Sequence, residues 1–369
     1  MIYLLLLLLG GQQSKITITV TLDASAKNAK VSIAPLRYDK RFACSFTLDD
    51  GLVSAARVAL PYFNGGQVAA PFKDKWDFDE GGDGAYHPGL YYTDGCGNAL
   101  SFKAAVAINA RSVSEDNLSW NDLKLITQAG WDVLNHSYTH ATGKEVKAAW
   151  EVSENTRTVQ QRLQTNMQQF VIPGGKDDHL SAPLYANAAF EQGLQVVHSG
   201  QYPDYWIEPA TRTDWNRLRV GRLFLNSKMG QQVLMDSVFR GIKEHLSTGK
   251  YFWLNTFTHS VGNDDLWNIS YRFADFTAFF NRLAASYGKE GEDNIWFAPP
   301  EAVHAYEAIR RVVKPVVTRS GNKLVITFDK VTLEKYNALT FLVQSSITSV
   351  NGTNCAIESY GGKLINITW

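Results

Sequence analysis

From residue 42 to residue 312 the sequence alternates short apolar runs with longer amphipathic stretches, and that alternation constrains the fold more than any other feature. Residues 42–48, 103–109, 131–135, 169–172, 195–198, 219–225, 251–257 and 294–297 read as strands. Residues 120–129, 144–168, 183–192, 231–246, 273–287 and 300–312 read as helices. Strands separated by helices pair in parallel, because a parallel connection needs a crossover long enough to hold a helix. This many units in succession predict an α/β fold, a distorted (β/α) barrel over residues 41–312. In such barrels the reactive side chains gather at the carboxyl ends of the strands.

The flanks read differently. Residues 15–22 (KITITVTL) alternate polar and apolar, a strand pattern, and residues 30–34 read as a second strand, so 12–40 is expected to be a short N-terminal strand region. Beyond Pro315 the chain turns rich in Val, Thr and Ile with turn residues between runs, which predicts a small all-β module over 313–369. Residues 2–9 are unbroken apolar, far short of the ~20 needed to span a bilayer. Followed by Gly10 and Gly11, they read as a signal-like segment over 1–11 and predict a secreted, periplasmic or cell-surface protein without a transmembrane segment. Lys+Arg and Asp+Glu both number 36, so neither nucleic acid nor an anionic membrane is expected as a partner. The three cysteines show no paired metal-site spacing.

Three short segments carry chemistry, each at the end of an expected strand. Thr47-Leu48-Asp49-Asp50-Gly51 places two adjacent carboxylates before a glycine. A turn explains that pattern, and so does a division of labour in which one carboxylate binds a cation and its neighbour takes a proton from water. His136-Ser137-Tyr138-Thr139-His140 spaces two imidazoles so that one helical turn brings both onto a single metal. Asn255-Thr256-Phe257-Thr258-His259 ends a strand on a further imidazole.

In this order the segments resemble the motifs of the polysaccharide deacetylase (NodB-homology) family. Thr47 to Gly51 resembles its T-F-D-D-G, His136 to His140 matches H-[S/T]-x-x-H, Pro173-Gly174-Gly175 resembles R-x-P-x-G, and Phe257-Thr258-His259 resembles L-x-H. The likeness covers roughly residues 41–312. It implies a barrel of the NodB-homology type and a hydrolase that removes acetyl groups from an acetylated polysaccharide or glycan. It casts Asp49 as general base, His259 as general acid, and Asp50, His136 and His140 as ligands of a divalent metal, usually zinc. It also places Tyr138, Pro173, Gly174 and Trp215 at the substrate, with a backbone N–H near Tyr138 on the oxyanion.

Two departures stand out. The third motif normally carries an arginine two residues before its proline, a partner for the base, and here that residue is Val171. Arg217, Arg219 and Arg222 are candidates to replace it, from a segment whose Thr213-Asp214-Trp215 faintly resembles the fourth motif. Without such a cation the resemblance implies a catalytically impaired, metal-containing carbohydrate-binding protein instead. Residues 65–100 look inserted, and an insertion at a strand's carboxyl end is expected to shape the cleft or to pack its aromatics down over the barrel. The sequence leaves open whether an N-acetyl or an O-acetyl group is cleaved.

Overall fold

The computed structural model describes residues 14–23, 29–74, 77, 79–114, 117–227, 231–263 and 270–369. The expected signal-like segment, 1–11, lies outside them. The chain divides into two compact units, one of residues 1–39, 94–96 and 305–369 and the other of 40–93 and 97–304.

The larger unit is built on a 10-stranded sheet. Phe42–Leu48 lies next to Ala105–Ile108, followed by Asp132–Asn135, Gln169–Val171, Val196–Ser199 and Leu218–Gly221, all parallel. The sheet curls back through Phe252–Thr258, which pairs in parallel with Phe42–Leu48 along its whole length. Closure falls on the chain between residues 218 and 224. Leu218–Gly221 pairs with Val196–Ser199, whereas Leu223–Phe224 pairs with Phe252–Thr258. The run expected as one strand over 219–225 is therefore two short strands that part at Arg222. Gly221 makes the break sterically feasible, since a Cβ there would sit 2.3 Å from the Tyr202 carbonyl oxygen. Ile295–Phe297 adds in parallel to the first half of Phe42–Leu48. Helices Trp120–Gln128, Ala148–Leu163, Asp178–Glu191, Gln231–Ser247 and Phe273–Tyr287 fall between strands, so the α/β barrel expectation holds. No helix among the described residues is long and apolar enough to cross a membrane.

The strands are apolar on the face turned to the helices as well as on the face turned inward. Phe42, Phe46, Val106, Ile108, Leu134, Phe170, Val197, Leu254 and Phe297 are all fully buried. Continuous apolar strands are what parallel sheets covered on both faces require.

The smaller unit holds two four-stranded sheets. Lys15–Leu22 pairs antiparallel with both Lys323–Asp329 and Ile347–Thr353, and Val31–Ile33 pairs with Ala338–Val343. The pieces expected separately at 12–40 and 313–369 thus share their sheets. Alternation does the work: Ile16, Ile18, Val20 and Leu22 are buried against Leu324, Ile326 and Phe328, while the threonines between them stay partly exposed.

Within the inserted stretch, Asp79–Glu80 pairs with Ser260–Gly262, the strand directly after His259. Of its aromatics, Tyr92 is buried and the His87 ring lies 4.7 Å from that of Tyr62, whereas Tyr86 is 71% exposed. Glu80 is buried, accepts the Ser54 N–H at 2.6 Å, and leaves Oε1 without a partner among the described residues. Burial pushes its pKa up to about 7, opposed by the Ser54 hydrogen bond. The folded state then holds this proton more tightly than the unfolded chain, whose value is near 4.5. The contribution is most favourable below pH 4.5 and is lost as pH rises through 7, by about 3 kcal/mol in all. Glu80→Gln keeps an acceptor for Ser54 and is expected to remove that fall. Denaturant unfolding at pH 5 and pH 8 checks it, and an unchanged pH dependence in the variant would count against the assignment.

Candidate active site

The four motif segments meet at one end of the barrel. Asp49 and Asp50 follow the strand ending at Leu48, and the Asp49 N–H donates to the Thr258 carbonyl at 2.9 Å, joining the first and last segments. Asp50 adopts φ 68°, a left-handed conformation that turns its carboxylate away from that of Asp49. The two carboxylates consequently have different surroundings.

Asp50 faces three imidazoles. Its Oδ1 lies 3.2 Å from His136 Nε2 and 3.3 Å from His140 Nε2, and its Oδ2 lies 4.0 Å from His259 Nε2. Asp50, His136 and His140 each present one ligand atom within 4.8 Å of the others. Burial works against an ionised Asp50, but the imidazoles of His136, His140 and His259 prevail and hold its carboxyl well below the usual range. His140, in turn, is raised above its ordinary value by Asp50, against the effect of burial.

The ligand chemistry fits a divalent cation. His136 Nδ1 is 2.9 Å from the Val171 carbonyl oxygen, so Nδ1 carries the proton and Nε2 offers a lone pair toward Asp50. Asp50 Oδ1 is buried and forms no conventional hydrogen bond. Two imidazole nitrogens and a carboxylate oxygen converging in this way suit zinc and its neighbours.

The loop carrying both histidines is strained and braced. Ser137 and His140 have φ 64° and 62°. Glu151, buried at the start of helix Ala148–Leu163, accepts the N–H groups of Tyr138 and Thr139 at 2.8 and 2.7 Å and the Thr139 hydroxyl at 2.6 Å. Asn109 donates to the carbonyls of His136 and Ser137, and Asn155 ties Ile108 to Asn135. Sequence reasoning missed Glu151. Its signal was a carboxylate on the apolar stripe that Val152, Asn155 and Val159 continue. Glu151→Ala is expected to weaken metal binding by about 10- to 100-fold, as losses of such supporting bonds do. Titration with a competing chelator measures it, and wild-type affinity would contradict the bracing role.

The Tyr138 N–H itself is taken up by Glu151, so an oxyanion donor near Tyr138 would have to be another N–H. Gly174 lines the cavity, and no group among the described residues takes up its N–H. The Tyr138 ring stands edge-on to Trp150, at 5.4 Å. Trp215 is not brought to the site. It precedes strand Leu218–Gly221 at the amino end of the barrel, is 5% exposed, and packs against His304.

Asp49 has the partner that Val171 does not supply. Arg222 Nη1 and Nη2 donate to Asp49 Oδ1 and Oδ2, each at 2.8 Å, and both residues are buried. Each carboxylate oxygen keeps a second lone pair. The guanidinium also lies 3.9 Å from the Phe257 ring centroid. Arg217 and Arg219 lie over Phe190 instead, and alternation along the strand turns Arg222 the other way. Behind it, Asn255 donates to the Gly221 carbonyl at 2.9 Å and lies 3.1 Å from His198 Nδ1. Burial and the Arg222 charge hold His198 well below its ordinary value, so it stays neutral there.

A cavity of about 280 Å³ opens over these groups, lined by Asp49, His136, Pro173, Gly174, Arg222, Phe224 and His259 among others. His259 stands edge-on to Phe224 and Phe257, and its Nδ1 is buried without a partner among the described residues. Asp178, Ser199 and Gln201 supply further polar groups along the same cavity.

No protein-family model matches the chain, and no curated protein does. Solved structures do. A probable polysaccharide deacetylase from Pseudomonas aeruginosa PAO1 is 15% identical, over 75% of this chain and 95% of that one, with a TM-score of 0.46. A peptidoglycan deacetylase from Bacillus subtilis is 11% identical, over 74% and 94%, with a TM-score of 0.36. A CE4 family pseudoenzyme from Bacillus anthracis is 13% identical, over 72% and 66%, with a TM-score of 0.36.

Proposed function

We propose that this protein is a metal-dependent deacetylase that hydrolyses acetyl groups on an acetylated polysaccharide or oligosaccharide. The observation that carries the reading is the division between two neighbouring carboxylates. Asp49 is held in a two-point ion pair by Arg222, and Asp50 sets its Oδ1 3.2 and 3.3 Å from Nε2 of His136 and His140. A divalent cation, zinc by preference, held by Asp50, His136 and His140 would supply Lewis-acid chemistry toward an acyl carbonyl and water. Asp49 takes the proton of the attacking water, with Arg222 fixing which lone pairs face the cavity. The Gly174 N–H steadies developing negative charge on the acyl oxygen. His259, at the cavity wall beside Phe224 and Phe257, delivers a proton to the departing sugar nitrogen or oxygen. Acetate and a free amine or hydroxyl result.

The alternative, an impaired carbohydrate-binding protein, rests on Val171 and on the inserted stretch at 65–100, and the pairing of Arg222 with Asp49 weighs against the first of these grounds. We place the protein outside the cytoplasm, as secreted, periplasmic or cell-surface, on the strength of the apolar run at residues 2–9. Acetate release from N-acetylated chitin oligosaccharides and O-acetylated xylan tests the activity. Release that stops with chelator and returns with zinc or cobalt is expected. Equal release with and without chelator would remove the metal from the reading.

A further inference from the structure

The barrel interior holds a file of polar side chains that the proposed chemistry does not use. Val197 packs among residues of helix Asp178–Glu191, so alternation turns its neighbour His198 into the barrel. Phe170 stacks on Tyr185 of the same helix, which turns Gln169 inward as well. Gln169, His198 and Asn255 are fully buried. Burying polar groups side by side is costly unless each is held in a defined bond.

The donors and acceptors fix one arrangement. Asn255 Nδ2 has two hydrogens, one given to the Gly221 carbonyl at 2.9 Å and the other to His198 Nδ1 at 3.1 Å. His198 Nδ1 therefore carries a lone pair, and Nε2 donates its proton to Gln169 Oε1 at 2.6 Å. Reversing the Asn255 amide would set its oxygen against the Gly221 carbonyl oxygen, so the chain runs one way only. Burial first, then the nearby Arg222 and His304, keep the His198 ring neutral, as this chain requires. The chain ends on the peptide unit where the strand parts. Asn255 holds the Gly221 carbonyl, and the Arg222 N–H of the same peptide donates to the Ser199 carbonyl at 3.1 Å. Arg222 Nε has no hydrogen-bond partner among the described residues, so between that peptide and the fork on Asp49 no hydrogen bond steers the side chain.

We infer that His198 is a positioning residue for the base: through Asn255 it fixes the Gly221–Arg222 peptide, and with it the angle at which the guanidinium meets Asp49. The inference rests on the deacetylase reading for its effect on turnover, but not for its effect on the Arg222–Asp49 pair.

His198→Leu removes the acceptor, and His198→Asn restores one toward Asn255. In acetate release, kcat of His198→Leu is expected to fall about 10- to 100-fold with KM within about twofold, and His198→Asn to recover most of that loss. In the Arg222→Met background, His198→Leu is expected to cost nothing further. Independently of turnover, the coupling between Arg222 and Asp49 in a urea-unfolding cycle is expected to shrink when the cycle is repeated with His198→Leu. Asn255→Ala frees the same carbonyl and takes the place of His198→Leu if that variant does not fold. Nitrogen NMR of the wild-type imidazoles is expected to show His198 unprotonated at Nδ1 and protonated at Nε2 from about pH 5 to 8. The opposite tautomer, an unchanged Arg222–Asp49 coupling, or an active enzyme whose kcat His198→Leu leaves intact overturns the inference. If no form releases acetate yet the coupling shrinks, the positioning role stands and the deacetylase reading fails.

Discussion

Arg222→Met is expected to lose about 3–5 kcal/mol of stability and to cut acetate release by at least about 100-fold. The variant strips Asp49 of both its guanidinium bonds and leaves a carboxylate with 1% exposure beside no cation. An uncompensated buried charge is among the costliest changes a fold can suffer. Activity falls for a second reason, because the carboxylate loses the fork that orients it. Arg222→Lys keeps the charge without the fork, and an intermediate loss is expected. Combining Arg222→Met with Asp49→Asn removes both charges, so the double variant is expected to be more stable than Arg222→Met alone. Urea unfolding of wild type, Arg222→Met, Asp49→Asn and the double variant measures this. Additive losses would mean that the pair is not coupled as the 2.8 Å contacts indicate.

His136→Ala is expected to abolish stoichiometric metal binding at micromolar metal. His136 is the most buried of the three ligands, at 1% exposure, and its orientation is set by the Val171 carbonyl. Its loss leaves Asp50 and His140, which cannot close a site on their own. Wild type should also gain stability from added zinc, by about 2.7 kcal/mol at a hundred times its dissociation constant, and the variant should gain little. Metal analysis after gel filtration and zinc-dependent thermal shifts read the two effects. Retention of one metal per chain in the variant would show that the cation sits elsewhere.

The sequence carried most of the barrel because its strands are apolar runs too short for helices, and its helices other than Asp178–Glu191 have clear stripes. Phe273–Tyr287 and Pro300–Val312 fall at the expected residues, and Phe42–Leu48 does as well. Helix Asp178–Glu191 begins five residues before Pro183, which reads in sequence as a helix start but sits inside the helix at the cost of one hydrogen bond. Helix Ala148–Leu163 is shorter than 144–168, since residues 141–147 follow the braced histidine loop. The candidate metal ligands were legible because each lies in a short motif, with His136 and His140 four residues apart. Arg222 was only one of three candidates, because choosing among them requires knowing which face of a bent strand turns inward. The displacement of Trp215 from the site depends on its contact with His304, far along the chain, which no local pattern carries, whereas Glu151 reaches back only 12 and 13 residues to the histidine loop.

The most direct test compares acetate release by metal-loaded wild type and metal-loaded Asp49→Asn on the same acetylated glycan. The account predicts that wild type releases acetate, that kcat in Asp49→Asn is lower by about 10²–10⁴, and that the variant still binds one equivalent of metal. Asp49→Asn turning over at the wild-type rate with its metal in place would contradict the assignment of Asp49 as the base and, with it, the division of labour between the two carboxylates.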